Sequence, residues 1–246
     1  MSLTLSFKQQ VERFVEDQIT VFLERRAANV ESLKLVEVLS AKNPYLFRAK
    51  GVESALEMVQ ALLDARLSSA EEGLFGGFME QLAIFVSEQK CNGRKSSTTG
   101  LDIELEREGV RYLIAVKSGK AWGNSTQHKK LNDNFREAVR VLRQNKAVGH
   151  IQPTLGICYG RFKTVNNGTF LHIGGQSFWE LISGEPDLYM DIIEPIGYRA
   201  REFNDEFHKK RANAMNRMAR EFLERFCMAD GSIDWPKIVM LVSKNA

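Results

Sequence analysis

Two short segments near the middle of the chain most constrain its fold, because they have the pattern of paired strands. Residues 101–105 alternate between apolar and charged side chains, as a half-buried strand does, and Glu108 and Gly109 provide a turn. Residues 110–116 are apolar on both faces near their end, which is typical of a strand in the interior of a sheet. The sequence therefore predicts a hairpin whose second strand is buried.

The residues before this hairpin have the three- and four-residue apolar spacing of amphipathic helices. This spacing predicts helices over residues 7–26, 33–39 and 53–67. Ser69 and Glu72 have the spacing of a capping box, so a fourth helix is expected to begin near Ser69. The first ninety residues are thus expected to be helical.

Helices and strands continue after the hairpin, and this order predicts an α/β fold with a central mixed β-sheet flanked by helices and a helical N-terminal portion. We expect a single domain over residues 1–246, with a helical portion over 1–68, a core over 69–175 and C-terminal helices over 176–246. The remaining predicted elements are a helix over 127–145, strands over 155–159 and 170–173, and helices over 176–182, 188–193, 202–225 and 235–242.

Composition narrows the class of protein. The formal net charge is +3 over 246 residues, which is compatible with a polyanionic partner without requiring one. The three cysteines are widely spaced and form no CxxC pair, so we expect reduced thiols and no structural zinc. No apolar run approaches the ~20 residues of a membrane span, and the first residues carry no signal-peptide pattern. We therefore expect a cytoplasmic protein that does not associate with membranes.

Asp102 and Lys117 are the two residues of the hairpin that suggest chemistry. Asp102 opens the first strand and Lys117 closes the second, so both are expected at the same open end of the hairpin. A cation at the end of an apolar strand is costly without a partner. The spacing alone fits a structural ion pair as well as a catalytic pair.

The sequence around these two residues resembles the core of the PD-(D/E)XK nuclease superfamily, in GLDIEL at 100–105 and YLIAVKSG at 112–119. Other segments are similar to type II restriction endonucleases, most closely to the PmeII-like group, and the resemblance extends from Asn43 to Gly197. These segments are KNPYLFRAK at 42–50, EEGLFG at 71–76, WGNS at 122–125 and GQSFWELISG at 175–184.

This resemblance implies a restriction-endonuclease-like fold and Mg²⁺-dependent hydrolysis of phosphodiester bonds in double-stranded DNA at a short specific sequence. Asp102 matches the metal-binding aspartate, and Lys117 matches the lysine that positions the attacking water. The family also implies a homodimer, because a two-fold dimer matches a palindromic site.

Ala115 departs from the family pattern, since the residue two before the lysine is normally Glu, Asp or another polar residue. Alanine can bind neither metal nor water through its side chain. Three explanations remain open: the second carboxylate comes from elsewhere, a Glu→Ala change was made to trap a complex, or the protein is a catalytically weak relative. The first is favoured because Asp102 and Lys117 are both present. The candidates for the second carboxylate are Glu72, Glu80 and Glu104.

Polar residues on either side of the hairpin are candidates for DNA contacts. Arg94 and Lys95 lie in a polar loop before Asp102, where they could contact backbone phosphates, although a solvated loop explains them nearly as well. Asn124, Ser125 and Gln127 could contact phosphate or a base edge, although helix capping explains them equally well. Two alternatives to a restriction enzyme remain: an inactive DNA-binding protein on a nuclease scaffold, and a structure-specific nuclease.

Overall fold

The computed structural model describes residues 5–144 and 149–244. Contacts within the chain divide it into two units. Unit 1 comprises Met1–Ile19 and Phe75–Tyr198, and unit 2 comprises Thr20–Leu74 and Arg199–Ala246. The single domain expected from the sequence stays a prediction.

Most elements lie close to the positions that apolar spacing predicts. The helix expected over residues 7–26 continues to Ser32, and a short helix that was not predicted begins at Pro44. That helix is capped by the Asn43 side chain, which accepts a hydrogen bond from the backbone N–H of Tyr45. The helices are α1 (Phe7–Ser32), α2 (Leu35–Ser40), α3 (Pro44–Ala49), α4 (Ala55–Lys90), α5 (Ser125–Leu142), α6 (Gln176–Ser183), α7 (Leu188–Asp191), α8 (Ile193–Ile196), α9 (Ala200–Phe226) and α10 (Trp235–Ser243).

The prediction of separate third and fourth helices is wrong, because α4 runs without interruption through Ser69. The Ser69 hydroxyl does not cap a helix start; it donates to the backbone carbonyl of Ala65, 3.1 Å away and one turn earlier. This bond satisfies a serine inside a helix. Since no proline interrupts this part of the chain, the helix has no reason to end there.

Unit 1 contains a mixed sheet, as the sequence predicts. The sheet has six strands in the order β1-β2-β3-β4-β6-β5, of which the two-residue strands β1 and β5 were not predicted. The hairpin of β2 and β3 is antiparallel, and its turn residues Glu108 and Gly109 both have positive φ. β3, β4 and β6 are parallel neighbours, so their C-terminal ends meet at one edge. The strands are β1 (Arg94–Lys95), β2 (Ile103–Arg107), β3 (Val110–Lys117), β4 (His150–Ile157), β5 (Val165–Asn166) and β6 (Leu171–Gly174).

Helix α5 connects β3 to β4 and covers one face of the sheet. Its apolar side chains Leu131, Phe135 and Ala138 are buried against β3 and β4, in a cluster that includes Leu113 and Ala115. Parallel strands need such a crossover, which buries the sheet face below it. β3 is therefore an interior strand, which pairs with β2 on one side and with β4 on the other.

Unit 2 is helical and has its own core. Met58, Leu62 and Leu63 of α4 are buried together with Met218 and Phe222 of α9. No helix in the described part of the chain is long and apolar enough to cross a membrane.

Candidate functional site

Asp102 and Lys117 lie at the same edge of the sheet. Ile103 pairs with Ile114 in the antiparallel register of β2 and β3, so one further step along the hairpin places Asp102 opposite Ala115. Side chains that alternate along a strand share a face at every second position, and Ala115 and Lys117 therefore share a face with Asp102. The hairpin brings the carboxylate and the ammonium to one end, as the sequence predicts.

The Asp102 carboxylate is held in place by the neighbouring strand. Its Oδ2 accepts a hydrogen bond of 2.6 Å from the backbone N–H of Val116, and its own backbone N–H donates to the Ile114 carbonyl at 2.8 Å. A hydrogen bond to a carboxylate is a strong one. Asp102 is therefore bound to the residue of β3 that directly precedes Lys117.

Helix α4 approaches this edge at Gly76. A methyl group added at Gly76 would lie 3.9 Å from the Ser118 hydroxyl, which directly follows β3. Glu80 lies one turn further along α4, on the same side as Gly76, since residues four apart share a helix face. α4 therefore places Glu80 beside the edge that carries Asp102.

The charges around Glu80 agree with this proximity. Partial burial raises the pKa of Glu80 above its usual value, and the negative charge of Asp102 raises it further. Lys117 and Lys95 act in the opposite direction. Glu80 therefore lies within electrostatic range of Asp102, Lys117 and Lys95.

Trp122 closes the site on the side of α5. The Nζ of Lys117 lies 5.6 Å from the centroid of the Trp122 ring, and His128 packs on the same ring at 4.2 Å between centroids. An aromatic face attracts a nearby ammonium group. The Trp122 ring therefore restrains the lysine that ends β3.

Ala115 is completely buried, in the apolar cluster beneath α5. It occupies the position opposite Asp102, where the resemblance noted from the sequence led us to expect an acidic residue. The methyl group packs with Leu113 and Phe135. A carboxylate at this position would lie directly across the strand pair from that of Asp102.

Glu104, one of the candidates for the second carboxylate, is a buried carboxylate held in an ion network whose arginines are partly or largely exposed. Its Oε2 accepts hydrogen bonds from Arg94 at 2.7 Å and Arg111 at 2.8 Å, and its Oε1 accepts one from Ser96 at 3.0 Å. Burial acts to raise the pKa of Glu104, but these bonds hold it below its usual value. Both oxygens are occupied by protein groups.

The remaining candidates are Glu72 and the polar residues at the start of α5, and each has a different environment from that of Glu80. Glu72 is exposed and belongs to unit 2, whereas Glu80 belongs to unit 1 together with Asp102 and Lys117. Asn124 and Gln127 form a capping box at the start of α5, in which each side chain accepts a bond from the other's backbone N–H. Ser125 is exposed in the first turn of α5.

Arg94 and Lys95 form the edge strand β1, although the sequence predicts a loop at this position. Lys95 is exposed, and its positive charge acts to lower the pKa of Glu80. Arg94 is also exposed while it binds Glu104. No local pattern in the sequence indicates that Arg94 has an acidic partner within the protein.

Sequence reasoning missed Tyr159, which it placed at the end of a buried strand. β4 ends at Ile157, and the Tyr159 side chain is exposed beside the end of β3. Cys158, between them, is buried, and burial raises the pKa of its thiol to about 12. The aromatic character of Tyr159 suggested core, and only its position after β4 could have indicated otherwise.

Two carboxylates, rather than three, are the acidic groups of this site. Within residues 5–144 and 149–244 no group of three or more His, Cys, Asp and Glu side chains could hold a metal ion. Mg²⁺ is commonly bound through one or two carboxylates, with waters and substrate phosphate supplying its other ligands. The hard oxygen donors of Asp102 and Glu80, which repel each other, therefore fit a divalent cation of this kind.

Comparison with known families identifies the chain. A model of the family described as type II restriction endonuclease EcoO109I matches residues 9–204, which is well over half of the sequence. No curated protein matches the chain significantly. The matched range includes the whole sheet and every residue of the site described above. The chain therefore belongs to the EcoO109I family of type II restriction endonucleases.

Proposed function

We propose that this protein cleaves double-stranded DNA at a short specific sequence in a Mg²⁺-dependent reaction, with Asp102, Glu80 and Lys117 at its centre. The observation that supports this proposal most is the convergence of these three residues at the C-terminal edge of β3. The family to which the chain belongs acts on DNA, so a phosphodiester is the expected substrate. The arrangement corresponds to a PD-(D/E)XK site in which the second carboxylate comes from a helix.

Glu80 is the best candidate for the second carboxylate. It is the one of the three for which the charge of Asp102 is a cause of the pKa shift. Glu104 already binds Arg94, Arg111 and Ser96. A carboxylate from α4 would replace the acidic group that Ala115 lacks.

Asp102 and Glu80 would hold the cation, which supplies positive charge against the negative charge that develops on the phosphate. Lys117, next to them, can donate hydrogen bonds to the attacking water and to a phosphate oxygen. Trp122 restrains the Lys117 side chain, so its ammonium group is already positioned when DNA binds. Asp102 keeps its place through the bond from Val116.

Incubation of the purified protein with unmethylated phage DNA, with and without Mg²⁺, tests this proposal. Discrete bands that appear only with Mg²⁺ are expected. A smear of unspecific products, or cleavage of branched DNA only, would favour a structure-specific nuclease instead. Absence of any cleavage, with DNA binding retained, would favour the second candidate below.

The second candidate is a DNA-binding protein that does not cleave, and the burial of Ala115 at the usual acidic position favours it. It predicts affinity for DNA without Mg²⁺-dependent turnover. A parallel sample with Ala115→Glu separates the two, because cleavage by that variant alone would mean that Ala115 inactivates the site.

A homodimer is part of the proposal, because a two-fold dimer matches a palindromic site and presents one active site to each strand. Light scattering of the protein with and without duplex DNA measures its mass. A monomer bound to a single palindromic duplex would contradict this part. The PmeII-like group and a cytoplasmic location also stay predictions from the sequence.

A further inference from the structure

The loop between β4 and β5 begins beside Lys117. The backbone N–H of Cys158 donates to the Lys117 carbonyl at 2.8 Å, and that of Tyr159 donates to the Ser118 carbonyl at 3.2 Å. These bonds continue the pairing of β3 and β4 beyond the ends of both strands. The first residues of the loop are therefore fixed relative to the site.

Tyr159 presents its ring to solvent at this place. Its exposed fraction is 65%, although the ring lies in close contact with Gly119. A methyl group added at Gly119 would come within 2.5 Å of the Tyr159 hydroxyl oxygen, so the ring lies directly against the backbone of Gly119. The ring is thus positioned next to the segment that follows Lys117, and its hydroxyl makes no hydrogen bond with the described residues.

Phe162 anchors the middle of the loop and orients its neighbours. Its ring packs closely on Gly160 and Gly174, where an added methyl group would lie 2.7 Å and 2.4 Å from it. Arg161 and Lys163, on either side of Phe162, are both exposed. They line an open pocket of about 840 Å³, which also includes Gln176 and Ser177 at the start of α6.

Neither of these two cations is neutralised within the part of the chain that the structure describes. Three arginines of unit 1 show the contrast: Arg94 and Arg111 bind Glu104, and Arg107 donates to backbone carbonyls at the end of α6. Arg161 and Lys163 have no such ion pair with a described residue. Their positive charge is therefore available to a partner from outside the protein.

We propose that Tyr159, Arg161 and Lys163 bind the backbone phosphates of the DNA strand that is cut, next to the scissile one. This inference rests on the proposed function, since it takes DNA as the substrate. Lysine, arginine and tyrosine side chains all contact phosphate oxygens in complexes with DNA. Residues 159–163 span less than the roughly 14 Å that five fully extended residues would, because residues 158–160 form bends, so the three side chains stay close to the site.

The test compares the double variant Arg161→Ala/Lys163→Ala with the double variant Arg140→Ala/Arg143→Ala. Arg140 and Arg143 lie at the end of α5, where they line a pocket with His150 at the start of β4, at the opposite edge of the sheet. Both variants remove two positive charges. All four residues are exposed, so both proteins are expected to fold, and their melting temperatures check this.

The probe is a fluorescently labelled duplex of mixed sequence, whose binding is followed by anisotropy without divalent metal at several salt concentrations. We expect the Arg161→Ala/Lys163→Ala protein to bind about tenfold more weakly than the unaltered protein. The slope of log K against log salt should become shallower by about 1 for each phosphate that the variant no longer binds. Tyr159→Phe, which removes only the hydroxyl, should weaken binding by about threefold.

An unchanged affinity and salt slope for Arg161→Ala/Lys163→Ala would overturn the inference, and so would an equally weakened affinity of the Arg140→Ala/Arg143→Ala control. Cleavage of phage DNA by the unaltered protein is measured in parallel. Cleavage together with unchanged binding by the Arg161→Ala/Lys163→Ala protein overturns only this inference. Binding by the unaltered protein without cleavage overturns the proposed function, and the comparison of the variants still decides whether these residues bind phosphate.

Discussion

The backbone N–H of Val116 donates a 2.6 Å hydrogen bond to the carboxylate of Asp102. This bond joins the first strand of the hairpin to the second, one residue before Lys117. The structural role of Asp102 can be separated from its proposed metal-binding role, because an amide oxygen can accept the same bond without carrying charge.

Asp102→Asn is therefore expected to remove DNA cleavage while the protein stays folded. Loss of one carboxylate from a metal site should reduce the rate by roughly a thousandfold, since a cation supplies several kcal/mol of stabilisation. Cleavage of phage DNA and thermal melting measure the two effects. Asp102→Ala is the control and should also lower the melting temperature. Full activity of Asp102→Asn would mean that Asp102 does not hold the metal.

Glu80→Gln and Glu72→Gln form a matched pair on the same helix. Glu80 is partly buried beside Asp102, whereas Glu72 is exposed in unit 2. We expect Glu80→Gln to reduce the cleavage rate by roughly a hundredfold or more, and Glu72→Gln to keep the rate of the unaltered protein. Only Glu80→Gln should change the Mg²⁺ concentration at which the cleavage rate reaches half of its maximum. The reverse order of effects would assign the second carboxylate to Glu72.

Ala115→Glu is expected to destabilise the protein in the absence of metal. The new carboxylate would be buried with Leu113 and Phe135 and would face Asp102, and the cost should be about 2 kcal/mol or more. Mg²⁺ should reverse part of the fall in melting temperature, because the added carboxylate and Asp102 can bind the same cation. Equal melting temperatures of both proteins without metal would show that the site has room for an acidic residue.

Glu104→Gln tests whether the Glu104 ion network is structural. Because Glu104 is buried while its arginine partners are partly exposed, the free energy of unfolding should fall by about 2 kcal/mol, and the folded protein should still cleave DNA. Because the pKa of Glu104 is lower in the folded state than in the unfolded state, its contribution is present above the ordinary value of ~4.3 and is lost as the pH falls through the lowered one.

Denaturant unfolding over the acidic range checks this sign. The unaltered protein should lose stability below about pH 4.3, and Glu104→Gln should lose less over the same range. If the free energy of unfolding depends on pH in the same way for both proteins, the protonation of Glu104 is not coupled to stability. Complete loss of cleavage by a folded Glu104→Gln protein would instead place Glu104 in the catalytic site.

Asn124→Ala should lower stability by about 1 kcal/mol, the typical cost of losing a helix N-cap. The capping box with Gln127 satisfies two backbone N–H groups at the start of α5. Chemical denaturation measures this loss, and Asn124→Asp, which can cap equally well, should restore the stability. Unchanged stability of Asn124→Ala with weaker DNA binding would show that this side chain serves DNA contact instead.

Periodic patterns predicted the sheet and the pair Asp102 and Lys117, because a two-residue repeat around a turn defines which residues of a hairpin lie opposite each other. The continuity of α4 was missed, because Ser69 and Glu72 have the spacing of a helix cap and only tertiary structure shows that they lie within a helix. Glu80 could not be chosen over Glu72 and Glu104 from sequence, since all three are glutamates at plausible positions.

The exposure of Tyr159 and the ion pair of Arg94 could not be predicted either, because both depend on tertiary structure. Exposure of an aromatic residue after a buried strand depends on the packing of Gly119, which lies forty residues earlier in the chain. The partner of Arg94 depends on the short edge strand β1, whose two residues carry no strand pattern. Local spacing therefore predicts elements and cross-strand neighbours, but it does not predict which charged groups are already paired.

The turn at Glu108 and Gly109 lies at the far end of the hairpin from the site, yet it determines the site's alignment. Both residues adopt positive φ, and this geometry sets which residue of β2 faces which residue of β3. A single inserted residue there, of the kind that surface loops usually tolerate, would shift the register by one. Asp102 would then turn to the opposite face from Lys117, so the length of this exposed turn controls the geometry of a candidate site that lies a full strand length away.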